Sequence, residues 1–157
     1  MQTGRFIMKK IFLAIAFFFC LSLWSQNATE KDLQGKWQLI TYTTASASLD
    51  VETGKVTIDK SANTFGPEMA NKLKNDMESY TEMLKTAYVE INGNNFMQVV
   101  SDSVKAGTFT LGSQGNYQTI EGVFDDGTTG SIRFLVRDNK LMLNFPIQNK
   151  TYTYKKV

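Results

Sequence analysis

The sequence predicts a mainly β protein, an antiparallel meander that closes into a barrel of eight or nine strands with one inserted amphipathic helix. Short runs rich in β-branched and aromatic residues alternate with polar residues from position 37 to the end of the chain. Most connections between these runs are too short for the crossovers that parallel strands need. Closure is expected because a long open meander would leave its edge strands exposed.

The first 25 residues are predicted to be a secretory signal peptide. Lys9 and Lys10 precede an apolar run at positions 11–21 that is short for a bilayer span, and polar residues follow it. Met8 is a second candidate start. Cleavage after Ser25 would leave Gln26 at the new N-terminus, followed by a polar leader over residues 26–34. An uncleaved membrane anchor is the alternative, but the short apolar run favours cleavage, with no stable membrane insertion afterwards.

Cys20 lies inside this apolar run and raises the question of a lipid anchor. A lipobox has a small residue directly before its cysteine, whereas Phe17, Phe18 and Phe19 precede Cys20. We therefore expect an exported protein, periplasmic or extracellular, that is not lipid-anchored.

The charge and residue composition exclude several function classes. The first 25 residues hold three of the 17 Lys and Arg and none of the 15 Asp and Glu, so the rest of the chain is close to neutral. A nucleic-acid partner that needs a general positive field is not expected. The chain has no histidine, and its one cysteine lies in the signal segment. We therefore expect no cofactor and no His- or Cys-based metal or catalytic site.

The leader is followed by strand signals that begin at Trp37. Residues 37–43 alternate and are β-rich, which predicts the first strand. Residues 45–50 are small and polar and are interpreted as a loop, and residues 55–59 are predicted to form a second, weaker strand.

Residues 67–87 are predicted to form one helix lying across an end of the barrel. Pro67 suits a first helical turn, because its missing N–H would have no partner there. The apolar positions recur at helical spacing and are expected to face the barrel. A stripe of this kind is more often core than a ligand or partner surface. Its members are Met69, Leu73, Met77, Tyr80 and Leu84.

Seven further strands are predicted after the helix, each separated from the next by turn residues. Alternation in these strands points one set of apolar side chains inward, and if the interior is hollow this set would line a cavity. Gly122 lies on the same face, where its missing side chain either bends the barrel or leaves space. Arg133 is expected outside; the alternative is an interior Arg that holds a fatty-acid carboxylate. The candidate lining residues are Phe109, Ile120, Gly122, Phe124, Phe134 and Leu143.

Three short motifs carry a family resemblance: Gly-Lys-Trp at 35–37, Gly-Thr-Phe-Thr-Leu at 107–111 and Lys-Leu-Met-Leu at 140–143. In this order the chain resembles the small secreted lipocalin-like (calycin) barrel domains of Bacteroidota, over most of residues 33–157. The resemblance implies one barrel domain over residues 35–157. It also implies a packing role for Trp37 at the base of the barrel.

No catalytic constellation is present in the sequence. The paired carboxylates Asp125 and Asp126 occupy an Asp-Asp-Gly turn, where Asp serves backbone geometry. We therefore expect a protein that is not an enzyme. Two function hypotheses remain: a carrier of a small hydrophobic molecule in the barrel interior, and a solid-core interaction module or inhibitor that acts through its outer surface, with an unidentified protein partner.

Overall fold

The structure, a computed structural model, describes residues 27–60, 64 and 66–157. The predicted signal peptide, its cleavage position and Gln26 lie outside the described residues. Ten strands, three helices and a 3₁₀ turn (Pro146–Gln148) make up the described chain. The helices are α1 (Glu30–Leu33), α2 (Pro67–Ser79) and α3 (Thr81–Lys85). The strands are β1 (Gly35–Thr43), β2 (Ala47–Asp50), β3 (Val56–Ile58), β4 (Tyr88–Asn92), β5 (Asn95–Val100), β6 (Ser103–Gln114), β7 (Tyr117–Phe124), β8 (Thr129–Arg137), β9 (Lys140–Phe145) and β10 (Lys150–Lys156).

Eight of the strands close into an antiparallel barrel. β4 to β10 follow one another as a meander, and β1 completes the ring by pairing with β4 on one edge and β10 on the other. Trp37 lies opposite Val89 of β4 and Lys156 of β10. The predicted fold class, an antiparallel barrel of eight to nine strands, is therefore confirmed.

A two-stranded extension leaves the barrel at the far end of β1. Thr41–Thr43 pair with Asp50–Ser48 of β2, and β2 pairs in turn with β3. The β1–β10 register shifts between Leu39 and Thr41, and the extra residue supplies the Ile40 carbonyl to the Val51 N–H. β1 therefore pairs with β4 along its first four residues and with β2 along its last three, while β10 lies on its other edge.

The interpretation of residues 45–50 as a loop is wrong, because Ala47–Asp50 form β2. Ala47 and Leu49 are buried at 3% and 0% exposure, whereas Asp50 is exposed. The alternation is present but lasts only four residues, and Ala47 is too small to give a clear strand signal. Pairing with β1 and β3, which the local sequence does not reveal, turns the segment into a strand.

The segment predicted as one helix is divided at Tyr80, where the backbone N–H bonds to the Met77 carbonyl in a tighter turn. Met77 and Leu84 are buried at 2% and 3% exposure, and Leu73 is half-buried against the core. Met69 and Tyr80 differ from the prediction, with exposures of 53% and 45%.

These differences have a structural cause. α2 packs against the small β2–β3 extension rather than across an end of the barrel, so the surface that it covers is short. The tighter turn at Tyr80 also interrupts the 3.6-residue period that would align its ring with Met77 and Leu84. No helix in the described part of the chain is both long and apolar enough to cross a membrane.

The leader before β1 is folded onto one end of the barrel. Leu33 of α1 is fully buried, and its carbonyl oxygen accepts a hydrogen bond of 2.7 Å from the Trp37 indole Nε1. The Gln118 side chain of β7 bonds to both backbone groups of Ala28, accepting at 2.7 Å and donating at 2.8 Å. We call this end, covered by α1 and Trp37, the closed end.

Two methionines on α2 provide a matched test of its packing face. We expect Met77→Ala to lower the free energy of unfolding by about 2 kcal/mol or more, since it leaves a cavity in the core. Met69→Ala should change it by less than about 0.5 kcal/mol, because this side chain is already in solvent. Denaturant unfolding of both variants measures the difference, and equal effects would contradict the burial of Met77.

Candidate functional site: the open mouth of the barrel

The end of the barrel opposite α1 is open. The β5–β6 turn and the 3₁₀ turn between β9 and β10 border it, and Met83 of α3 lies at its side. A cleft of about 570 Å³ occupies this mouth. Its floor contains the inward side chains Phe124, Ile132 and Phe145, so the cleft opens directly onto the hydrophobic core.

Strand alternation explains which side chains line the cleft. In β6, Phe109 is buried at 3% exposure, and steps of two residues along the strand bring Lys105 to the same inward phase at the mouth. In β5, the same alternation places Gln98 and Val100 inward. The mouth is therefore formed by the ends of strands whose middles form the core.

Three tyrosines form one wall of the barrel near the mouth. The rings of Tyr42 and Tyr152 lie 5.1 Å apart between centroids, and those of Tyr152 and Tyr154 lie 6.5 Å apart. Phe145 meets Tyr152 edge to face at 5.6 Å. The Tyr154 hydroxyl accepts a hydrogen bond of 2.9 Å from Gln98 Nε2, which joins β5 to β10 across the interior.

These tyrosines are held in their neutral form. Burial raises the pKa of Tyr154 well above the usual tyrosine range, and the hydrogen bond from Gln98 only partly opposes this effect. Burial also raises the pKa of Tyr42 and of Tyr152. The wall therefore offers aromatic surface and uncharged hydroxyls rather than negative charge.

Lys105 supplies a positive charge at the mouth. Its Nζ lies 5.3 Å from the centroid of the Phe124 ring, and it forms no ion pair within 4 Å in the described part of the chain. The Asp102 carboxylate also borders the cleft from the β5–β6 turn. The ammonium group thus stands at the rim of an apolar floor with no carboxylate oxygen within 4 Å, although its charge, after the hydrogen bonds from Thr128, helps to lower the pKa of Asp126 in the β7–β8 turn.

The residues predicted to line a cavity lie mostly below this cleft. Phe109, Ile120, Phe134 and Leu143 have exposures between 0% and 6% and pack in the core. Of the predicted set, only Phe124 borders the cleft. The structure therefore places the cleft above these side chains rather than among them.

The space beside Gly122 is occupied by an aromatic ring. Gly122 pairs with Gly130 of β8, and a Cβ added at either glycine would lie 3.7 Å or 3.3 Å from the Phe124 ring. The two glycines thus make room for this ring rather than for a ligand. A Cβ at Gly122 would touch this ring at an ordinary van der Waals distance, and a larger side chain would compete with the ring for the same space.

Sequence reasoning missed the residues at the rim, among them Met83, Gln98, Val100, Lys105 and Tyr152. Continuing the inward alternation of β5 and β6 to the ends of these strands would have found Gln98, Val100 and Lys105. Gln98 and Lys105 are polar or charged and do not continue an apolar pattern, which concealed the inward direction of these strand ends.

Arg133 is outside the barrel, as the sequence pattern predicts. Its guanidinium lies 4.6 Å from the centroid of the Tyr117 ring, and its Nη2 donates to Gln114 Oε1 at 3.1 Å. The alternative in which Arg133 holds a carboxylate inside the barrel is therefore wrong. In the described residues, no group of three Cys, Asp or Glu side chains is arranged to hold a metal ion.

Two solved structures are similar to this chain. One is a DUF4847 family protein from Bacteroides vulgatus ATCC 8482, with 11% identity, a TM-score of 0.47 and coverage of 79% of this chain and 93% of the other. The second is a lipocalin-like protein from Bacteroides uniformis ATCC 8492, with 12% identity, a TM-score of 0.44 and coverage of 80% and 99%. No protein-family model matches the chain. No curated protein matches it either.

The buried tyrosines predict a loss of stability at alkaline pH. An unfolded tyrosine ionises near pH 10, whereas the raised pKa of Tyr154 keeps its proton in the folded state. The unfolded chain then binds fewer protons, so the free energy of unfolding should fall as the pH rises above about 10, and be unaffected by this group below that.

Denaturant unfolding between about pH 9 and about pH 11 measures this slope. We expect Tyr154→Phe to reduce the slope, even if the lost hydrogen bond to Gln98 lowers stability at every pH. Tyr117→Phe, at a ring that is 56% exposed, is the control. An unchanged slope in the Tyr154 variant would show that its phenol does not stay protonated in the fold.

Proposed function

We propose that the protein is an exported, non-enzymatic lipocalin-like carrier that binds a small apolar ligand at the open mouth of its barrel. The cleft at the mouth is the observation that carries the proposal. Its volume of about 570 Å³ lies in the usual range for small-molecule pockets. Eight-stranded barrels are just wide enough to hold one small ligand, so the size of this barrel is compatible with the role.

The chemistry of the cleft favours an amphipathic ligand with an acidic end. The apolar part would rest on Phe124, Ile132 and Phe145, where it removes exposed hydrophobic surface from water. The acidic end would meet Lys105, whose ammonium has no carboxylate oxygen within 4 Å in the described part of the chain. Charge-assisted hydrogen bonds are stronger than neutral ones, so this contact would orient the ligand in the cleft.

The second candidate function, an interaction module or inhibitor, is supported by a different observation. Phe109, Ile120, Phe134 and Leu143 are buried together in the hydrophobic core, below the cleft. A protein of that kind would use its outer face and would need no cleft. The two functions differ in whether a ligand binds at the mouth.

Two neighbouring valines give a matched test of ligand binding. Val100 points into the cleft, whereas Val104 is 59% exposed on the outside of the next strand. We expect a fluorescent long-chain fatty acid to bind about one molecule per barrel. Val100→Trp should abolish binding by filling the cleft, and Val104→Trp should leave it unchanged. Fluorescence titration measures both.

A substitution at Lys105 tests the orientation of the ligand in the same assay. Lys105→Met should weaken fatty-acid binding by about tenfold while leaving binding of the matching fatty alcohol unchanged. Equal binding by the two valine variants would place the site elsewhere. If the parent protein binds neither probe, the carrier function is wrong and the interaction module takes its place.

Export remains part of the proposal and has its own test. It is supported by the charged, apolar and polar order of the first 27 residues. Mass spectrometry of protein recovered outside the cytoplasm should find a chain that begins at Gln26. An intact terminus at Met1 or Met8, or a diacylglyceryl group on Cys20, would contradict cleavage after Ser25.

A further inference from the structure

The positive charge of this chain is concentrated on one side of the barrel. Strands β1, β8, β9 and β10 are neighbours in the sheet and contain no Asp or Glu. They hold seven of the 14 Lys and Arg residues that follow position 25. Of these, Arg133, Arg137, Lys140 and Lys155 point outward from β8, β9 and β10, whereas Lys150 and Lys156 lie opposite the inward residues Phe145 and Trp37. The outward face of β8, β9 and β10 is therefore basic, although the domain is nearly neutral.

The outward side chains of β8, β9 and β10 form a regular array, which we call the basic face. The row nearest the closed end contains Arg137, Lys140 and Lys155, directly opposite one another in register. The next row contains Leu135, Met142 and Thr153, and the third contains Arg133, Asn144 and Thr151. Each row crosses three strands, so the array is part of the rigid barrel.

The first row places three like charges side by side. Like charges directly opposite one another in a sheet are destabilising. The facing acidic group is Asp138 in the β8–β9 turn, whose Oδ2 lies 3.5 Å from Arg137 Nε in a largely exposed pair. Lys140 and Lys155 form no ion pair within 4 Å in the described part of the chain. Asp138 thus partly compensates Arg137, whereas Lys140 and Lys155 present charge that an external anion would neutralise.

Apolar side chains accompany these charges. Leu135 is 50% exposed, Met142 is 38% exposed, and the Tyr117 ring on the adjoining strand is 56% exposed. These three residues, together with Arg133, border an outer cleft of about 500 Å³. The basic face thus combines a cationic row with exposed hydrophobic groups, separate from the mouth of the barrel.

We infer that the basic face binds the surface of a membrane containing anionic phospholipids, with Leu135 and Met142 entering the interfacial region. Each Lys or Arg near such a surface strengthens binding electrostatically, and apolar side chains beside the cations add buried area. A protein partner fits less well, because lysine is depleted from protein interfaces whereas two lysines lie in the first row. The inference goes beyond ligand carriage and holds whether or not the mouth binds a ligand.

Vesicle binding tests this inference directly. The purified protein is sedimented with vesicles of phosphatidylglycerol and phosphatidylcholine in equal parts, and with vesicles of phosphatidylcholine alone. We expect binding to the mixed vesicles at low salt, loss of binding as salt screens the charges, and little binding to the neutral vesicles. The double variant Lys140→Glu and Lys155→Glu should bind the mixed vesicles at least about tenfold more weakly.

Two matched controls separate the face from the charge of the whole protein. Lys72→Glu with Lys74→Glu makes the same change in net charge on α2 and should retain binding. Leu135→Ser should weaken binding, and Val123→Ser, at a residue 53% exposed on β7, should not. Equal losses in the two charge variants, or no effect of Leu135→Ser, would overturn the proposed mode of contact. No binding to the mixed vesicles at low salt would overturn the inference and favour an acidic protein as the partner.

Discussion

The pairing of β1 with both β4 and β10 is the constraint on which the rest of the structure depends. Without the contact to β10, the strands from β4 onward would form an open meander with unpaired edges. Closure satisfies the hydrogen bonds of both edges and directs one face of every strand inward. It also brings residues from the two ends of the domain together, as with Trp37 and Lys156. The core, the mouth and the outer faces all follow from this ring.

The two ends of the ring differ because only one of them has a cover. The leader places Leu33 beneath Trp37, and the Gln118 amide holds Ala28 against β7. At the other end, α2 packs on the β2–β3 extension instead of on the opening, so the strand ends there surround a cleft. The early helix thus contributes to stability through the extension, and only Met83 of α3 reaches the rim.

The mouth and the basic face use charge in different ways. Lys105 is a single ammonium at the rim of an apolar floor, which suits one acidic group on a small ligand. The row of Arg137, Lys140 and Lys155 repeats positive charge across three strands, which suits an extended anionic surface.

The sequence by itself determined most of what local periodicity can encode. Alternation in the sequence located the strands from residue 88 onward. It also predicted that Phe109, Ile120 and Phe134 point inward and that Arg133 points outward. Such predictions are possible because the two-residue period of a strand is a property of neighbouring residues. Tertiary structure decided the features that depend on distant partners. Ala47–Asp50 became a strand only through pairing with β1, and Met69 was left exposed because α2 covers a short extension. The position of the mouth depends on where closure leaves the strand ends, and the space at Gly122 is taken by the Phe124 ring. Each of these outcomes rests on contacts that closure brings together in space, and no local pattern specifies such contacts.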